Sequence, residues 1–225
     1  MAEPIFQGVE LLPEKPPAKQ LFILLHGVGA RPADLVPLTI KLKGIFPDAA
    51  YLIPEGEYLL DGGGDGRQWF SIQGVTEDNR AARVAEAIPV LQQLVRNAQD
   101  RFKILQSDTA LIGFSQGAIM ALEFSVAHDG QVGRVLAFSG RFAKLPEKAP
   151  ELTTLHLLHG EDDKVIPVAH AYAGYERLMQ LHGDATLDVA SSVGHDIHAL
   201  LADRAIHRLQ TCIPLRNWKQ ALNSA

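Results

Sequence analysis

The nine residues from Ala110 to Ala118, ALIGFSQGA, bring an apolar run up against a serine held between two glycines, and beyond the second glycine the chain is again small and apolar. This reads as strand, sharp turn, helix. Gly113, Ser115 and Gly117 form a G-x-S-x-G pattern whose physical demand is steric. A serine at the tip of a strained strand-to-helix turn has its backbone pressed against the positions two before and two after, so both must lack bulk. Such a turn lifts the hydroxyl clear of the sheet edge. It also aims the amide of Gln116 along the start of a helix, where it can stabilise an oxyanion. The same pentapeptide also serves as a plain connector, and the strand before it and helix after it are what favour a nucleophile.

On either side the chain alternates strand and helix. Ile5 to Leu12 reads as an edge strand, and the connector Pro13-Glu14-Lys15-Pro16-Pro17 cannot sit in a central strand. Leu21 to Leu25 is a continuous apolar run, the pattern of a strand buried on both faces, and it ends at His26-Gly27. Pro32 to Phe46 is expected to be a helix and Ala49 to Ile53 a short strand. Thr76 is a credible N-cap for a long helix, bent at Pro89, whose apolar face runs through Val84, Ile88, Leu91 and Val95. Beyond the central turn, helices are expected over Gly117 to His128, Val168 to Leu181 and a closing His198 to Cys212. Strands are expected over Val132 to Phe138, Leu152 to Leu158 and Ala185 to Ala190. A series of this kind packs as α/β, a mainly parallel central sheet with helices on both faces, because each crossover is right-handed and covers a face. Function in such sheets collects at the carboxyl ends of the strands. His26-Gly27, Ser115, Ser139-Gly140, His159-Gly160 and Gly194-His195 all fall there.

The stretch from Pro54 to Gly74 breaks the alternation. It is long and glycine-rich, and loops of this length in compact domains are usually functional or disordered. Asp61, Gly63, Asp65 and Gly66 have the look of a calcium loop, but the twelfth position is Ile72 where a bidentate glutamate is needed, so no metal is expected. Trp69 and Phe70 read as the exposed apolar wall of a substrate cleft, with burial in the core as the alternative.

Composition narrows the function classes. A chain of 225 residues with 47% hydrophobic content supports one well-filled core, so a single domain over residues 1–225 is expected. The net charge of −5, with both signs interspersed, offers no basic stripe for nucleic acid. Cys212 is the sole cysteine and reads as a buried small hydrophobe. The first twenty residues lack a basic segment followed by an apolar one, and no window approaches the length of a membrane span. A soluble cytoplasmic protein without membrane partners is expected.

A serine hydroxyl needs an imidazole base, and that imidazole a carboxylate to hold its tautomer. After this kind of turn the acid and then the base follow the serine in the chain, which excludes His26. The later histidines are His128, His156, His159, His170, His182, His195, His198 and His207. His156 falls in a strand, His128, His170, His198 and His207 in expected helices, and His182 at the opposite rim. His195 follows a strand and a glycine at the correct rim and is the expected base. The loop before it offers Glu161, Asp162 and Asp163, which spacing alone does not separate.

HGVG, GFSQGA, HGEDDKVIP and VGHDIH together resemble the phospholipase/carboxylesterase family of α/β-hydrolases, which includes acyl-protein thioesterases, and the resemblance spans nearly the whole chain. It implies an α/β-hydrolase fold and places the acid, the aspartate of H-G-x-x-D-x-V-[VI]-P, on Asp163. It agrees with Ser115 as nucleophile and His195 as base. It also implies a second oxyanion donor in the backbone amide of Val28, with His26 and Gly27 shaping that loop. The expected function is a serine hydrolase of carboxylic esters acting on a small-molecule ester or thioester, with no cofactor, as monomer or homodimer. An acyl-protein or acyl-CoA thioesterase is the near alternative. A non-catalytic binding protein of the same fold is the distant one, disfavoured because such a receptor has no need of all three residues.

Overall fold

The computed structural model describes residues 6–223. In chain order the strands are β1 (Gly8–Leu11), β2 (Gln20–Leu25), β3 (Ala49–Pro54), the short β4 (Tyr58–Leu59) and β5 (Arg67–Gln68), then β6 (Thr109–Phe114), β7 (Arg134–Phe138), β8 (Thr154–Gly160) and β9 (Ala185–Ala190). Seven of them form one sheet in the order β1-β3-β2-β6-β7-β8-β9. Only β1 runs antiparallel, at the edge, while every other pairing is parallel. β4 and β5 make a separate antiparallel hairpin inside the long loop.

Six α-helices among the described residues complete the frame: α1 (Val36–Ile45), α2 (Glu77–Phe102), α3 (Gln116–Ala127), α4 (Ala169–Gln180), α5 (Ala199–Thr211) and α6 (Leu215–Asn223). Because successive strand residues point to opposite faces, the apolar run of β2 serves two cores at once. Leu21, Ile23 and Leu25 pack with Val84, Leu91 and Val95 of α2 and with the α3 residues Ile119 and Leu122. Phe22 and Leu24 pack with Leu38 and Leu42 of α1 and with Leu201 and Ile206 of α5. The mainly parallel α/β sheet covered on both faces is therefore as the alternation of segments predicts.

Several boundaries differ. The helix expected from Pro32 to Phe46 is a 3₁₀ turn, Pro32–Leu35, followed by α1 with Pro37 in its first turn. A proline is tolerated only where its missing N–H is not needed, so two prolines five residues apart mark two starts. The edge strand is shorter than the expected Ile5 to Leu12, and Ile5 lies outside the described residues. His159 and Gly160 belong to β8 itself. The long helix α2 does run unbroken through Pro89, and Thr76 caps it by accepting the amide of Asn79.

The closing helix is not the last one. α6 follows α5, entered through Pro214 and tied to the body by the Leu215 amide, which donates to Asp184 at 2.8 Å. The signal for it is that proline at a helix entrance. Cys212, expected to be buried, is partly exposed in the turn between α5 and α6, where its carbonyl accepts from Arg134.

Candidate active site

The turn after β6 is as tight as the glycine spacing requires. Ser115 has φ 53 and ψ −115, a conformation that L-residues adopt only under constraint. A methyl on Gly113 would come within 2.3 Å of the Gly117 carbonyl, and one on Gly117 within 2.1 Å of the Leu25 carbonyl. Neither position can carry a side chain. The Ser115 amide is held by the Phe138 carbonyl of β7 at 2.9 Å, so the neighbouring strand fixes the turn from the side.

Three strand ends deliver the partners. Asp163 follows β8 and is buried, whereas Glu161 and Asp162 are exposed, so the structure separates the three carboxylates that spacing leaves equivalent. His195 follows β9, and its loop lies close on β8: a methyl on Gly160 would sit 2.3 Å from the Val193 carbonyl. His195 Nδ1 is 2.7 Å from Asp163 Oδ2 and Nε2 is 2.9 Å from Ser115 Oγ. A carboxylate only accepts, so Nδ1 carries the proton and Nε2 is free to accept from the hydroxyl. The other carboxylate oxygen, Oδ1, accepts the amides of Val165 and Ile166 at 2.8 and 2.9 Å. Burial by itself would raise the Asp163 carboxyl, but the His195 hydrogen bond and those two amides outweigh it and hold the group below its ordinary range.

One histidine escapes assignment in the sequence. His159, buried at the end of β8, places Nε2 3.3 Å from Asp163 Oδ2 and donates to the Ile166 carbonyl at 2.7 Å. Burial lowers its pKa and keeps it neutral. It braces the acid loop from beneath, and the signal for it is its own position, four residues before Asp163. Of the remaining histidines, His156 lies in β8, His170 in α4 and His207 in α5, while His128 and His198 stand at helix ends and not inside them.

The long loop packs against the two segments that carry the expected oxyanion donors. The amide of Gln116 opens α3 and that of Val28 lies in the turn after β2; neither has a backbone partner among the described residues. His26, whose pKa is lowered by burial, accepts the Gly56 amide on Nε2 at 2.9 Å, and its Nδ1 donates to the Gly27 carbonyl at 2.7 Å. The Trp69 indole donates to the His26 carbonyl at 2.8 Å. The Gln116 side chain accepts the Trp69 amide and donates to the Phe70 carbonyl, at 2.8 and 2.7 Å. Arg67 exchanges backbone bonds with Gly29 and Ala30. Trp69 and Phe70 are each only 5% exposed and belong to the core, which corrects the exposed reading: burial against the core, the alternative, is what the structure has. Asp61 is likewise internal to the loop, accepting from Gln68, Ser71, Ile72 and Gln73. Its oxygens are committed to shaping that loop.

A sequence model of the Phospholipase/Carboxylesterase family matches residues 8–213. The chain belongs to that family. It is 44% identical over 211 residues to "Esterase YpfH" of Escherichia coli (strain K12), covering 94% of this chain and 90% of the relative. It is 25% identical to "Acyl-protein thioesterase 1" of Debaryomyces hansenii, over 67% of this chain and 72% of that one. Among solved structures, esterase PE8 superposes with a TM-score of 0.84 at 29% identity, covering 92% of this chain and 98% of that chain. The fold is that of the α/β-hydrolases and the protein is an esterase-type hydrolase of this family. No helix among the described residues is long and apolar enough to cross a membrane.

Proposed function

We propose that the protein is a serine carboxylesterase working through an acyl-enzyme, with Ser115 as nucleophile, His195 as general base and acid, and Asp163 as the group that orients the imidazole. The reading is carried by the unbroken hydrogen-bonded line from Ser115 Oγ through His195 to Asp163, at 2.9 and 2.7 Å. Ser115 Oγ attacks the acyl carbon while His195 Nε2 takes its proton, and the carbonyl oxygen, now an anion, is met by the amides of Val28 and Gln116. The C–O bond to the alcohol breaks as His195 returns the proton to the leaving oxygen. Water, deprotonated by the same imidazole, then releases the acid and frees the serine. Trp69 and Phe70 act in this scheme through Gln116 and His26, holding the two donors of the oxyanion site apart at a fixed spacing.

The same apparatus opens a thioester, a reading favoured by the name of the Debaryomyces relative. Rates on the oxygen ester and thioester of one acyl group rank the two. The test of the nucleophile is a fluorophosphonate probe with peptide mapping: the adduct is expected on Ser115 and absent from Ser115→Ala. An adduct on another residue, or full labelling of the variant, refutes the assignment.

A further inference from the structure

Gly27 and Phe114 face in two directions. A methyl on Gly27 would lie 3.3 Å from Ser115 Cβ, and the Phe114 ring is centred 4.9 Å from the His195 ring, so both touch the reacting groups. Both also line a cavity of about 480 Å³ between the start of α1 and the start of α5. Leu35, Leu38 and Ala202 line it as buried side chains, giving it an apolar floor. Its mouth carries Asp34, Asp196 and Lys41, and the Lys41 ammonium is already paired with Asp203 at 2.6 Å. The mouth is thus net negative. A larger hollow of about 650 Å³, between Glu55–Glu57 and α2, is lined by neither Gly27, Phe114, Ser115 nor His195, and so does not border the reacting groups.

We propose that the cleft between α1 and α5 receives a neutral alkyl chain of the ester whose carbonyl Ser115 attacks. The inference rests on the nucleophile assignment above and deepens it by naming the substrate class. The apolar floor rewards each methylene withdrawn from water, by about fourfold in kcat/KM when burial is complete. The two carboxylates at the mouth oppose a chain ending in a carboxylate. The chain is identified by its chemistry, and whether it belongs to the acyl or the alcohol half is read from two arms of one experiment.

Nitrophenyl esters from acetate to octanoate form the acyl arm, and alkyl acetates from methyl to hexyl form the alcohol arm, each measured on the wild-type protein, Ala202→Phe and Ala199→Trp. Ala202 is buried, so its variant fills the floor; Ala199 is exposed in the first turn of α5, so its variant narrows the mouth without disturbing the core. In one arm kcat/KM is expected to rise by up to about fourfold per methylene. Both variants are expected to flatten that rise, and the hemisuccinate is expected to be slower than the butyrate. A rise in the acyl arm assigns the cleft to the acid, and one in the alcohol arm to the leaving group. Flat wild-type profiles in both arms, or a rise that persists unchanged in Ala199→Trp, overturn the inference. Failure of the nucleophile assignment is read separately, as hydrolysis retained by Ser115→Ala.

Discussion

The segment from Pro54 to Gly74 and the cleft between α1 and α5 both abut the turn that carries Ser115, yet the segment packs Trp69 and Phe70 against that turn while the cleft stays open beside it. The segment turns Trp69 and Phe70 inward, leaves Tyr58 exposed, and spends polar groups on its neighbours: Trp69 on His26 and Gln116, Phe70 on Gln116, Arg67 on the turn after β2. The cleft leaves Leu35, Leu38 and Ala202 facing a cavity whose rim touches Gly27 and Phe114. Loop composition therefore misleads about whether Trp69 and Phe70 are exposed. Glycines allow a backbone to press closely on a neighbour as readily as they allow it to move. Here Gly66 is so near the Gly29 carbonyl that a methyl would lie 2.3 Å from it. On the reading proposed above, one flank positions the site and the other admits the chain.

Neither flank is expected to outweigh the proposed triad. Asp163→Asn is expected to lower turnover by about four orders of magnitude, since the imidazole is then held in the wrong tautomer. Asp162→Asn, altering an exposed carboxylate, is expected to cost under about tenfold, its side chain lying outside the hydrogen-bonded line. Comparable losses in the two, with circular dichroism unchanged, would remove the distinction drawn from burial.

Trp69→Ala challenges the contrast between the flanks from the loop side. Deleting a buried indole is expected to cost about 3–5 kcal/mol in chemical denaturation, and to lower rates on short and long esters by a common factor. A loss that grows with chain length, at unchanged stability, would return Trp69 to the substrate wall. His159 tests the support beneath the acid. His159→Phe removes a donor beside a charged carboxylate and is expected to lower kcat by about ten- to a hundredfold with little change in KM. His159→Gln, which keeps an N–H, is expected to recover part of it.

A smaller effect far from the triad must be separated before any acid profile of the site is read. Burial, with help from Arg134, pushes His156 down to about 3. In the unfolded chain an ordinary histidine takes up its proton near a pH of about 6.5, so below that the unfolded state binds more protons than the folded one. The stabilisation from His156 is present above that pH and is lost progressively as pH falls toward about 3. From about pH 6.5 to 5.5 the loss is expected to be about 1 kcal/mol, and the pH dependence of denaturation should flatten in His156→Gln over that interval.

The order of strands and helices, the sharp turn and the pairing of Ser115 with His195 are legible in the sequence because each rests on a local demand: unbroken apolar runs for strands buried on both faces, paired glycines for a turn without room for Cβ. Asp163 is not separable from Asp162 and Glu161 by spacing, because what distinguishes it is burial and two amides from residues further along the same loop. Family resemblance selects it, and the geometry supplies the reason. The cleft is illegible for a different cause. Leu35, Leu38 and Ala202 carry the same pattern as neighbours that are wholly packed, and whether such a residue borders a void depends on how closely α1 approaches α5. α6 goes unanticipated because a proline at a helix entrance equally marks the end of the helix before it.

The most direct measurement is the crystal structure of the protein inactivated by a hexyl fluorophosphonate. Phosphorus is expected on Ser115 Oγ, with the phosphoryl oxygen about 2.7–3.1 Å from the amides of Val28 and Gln116. The hexyl chain stands for the acyl half, and where the acyl arm carries the rise in rate it should lie between Leu38 and Ala202. Phosphorus on any other residue, or a chain running against Trp69 and Phe70 with the cleft vacant, would contradict this assignment.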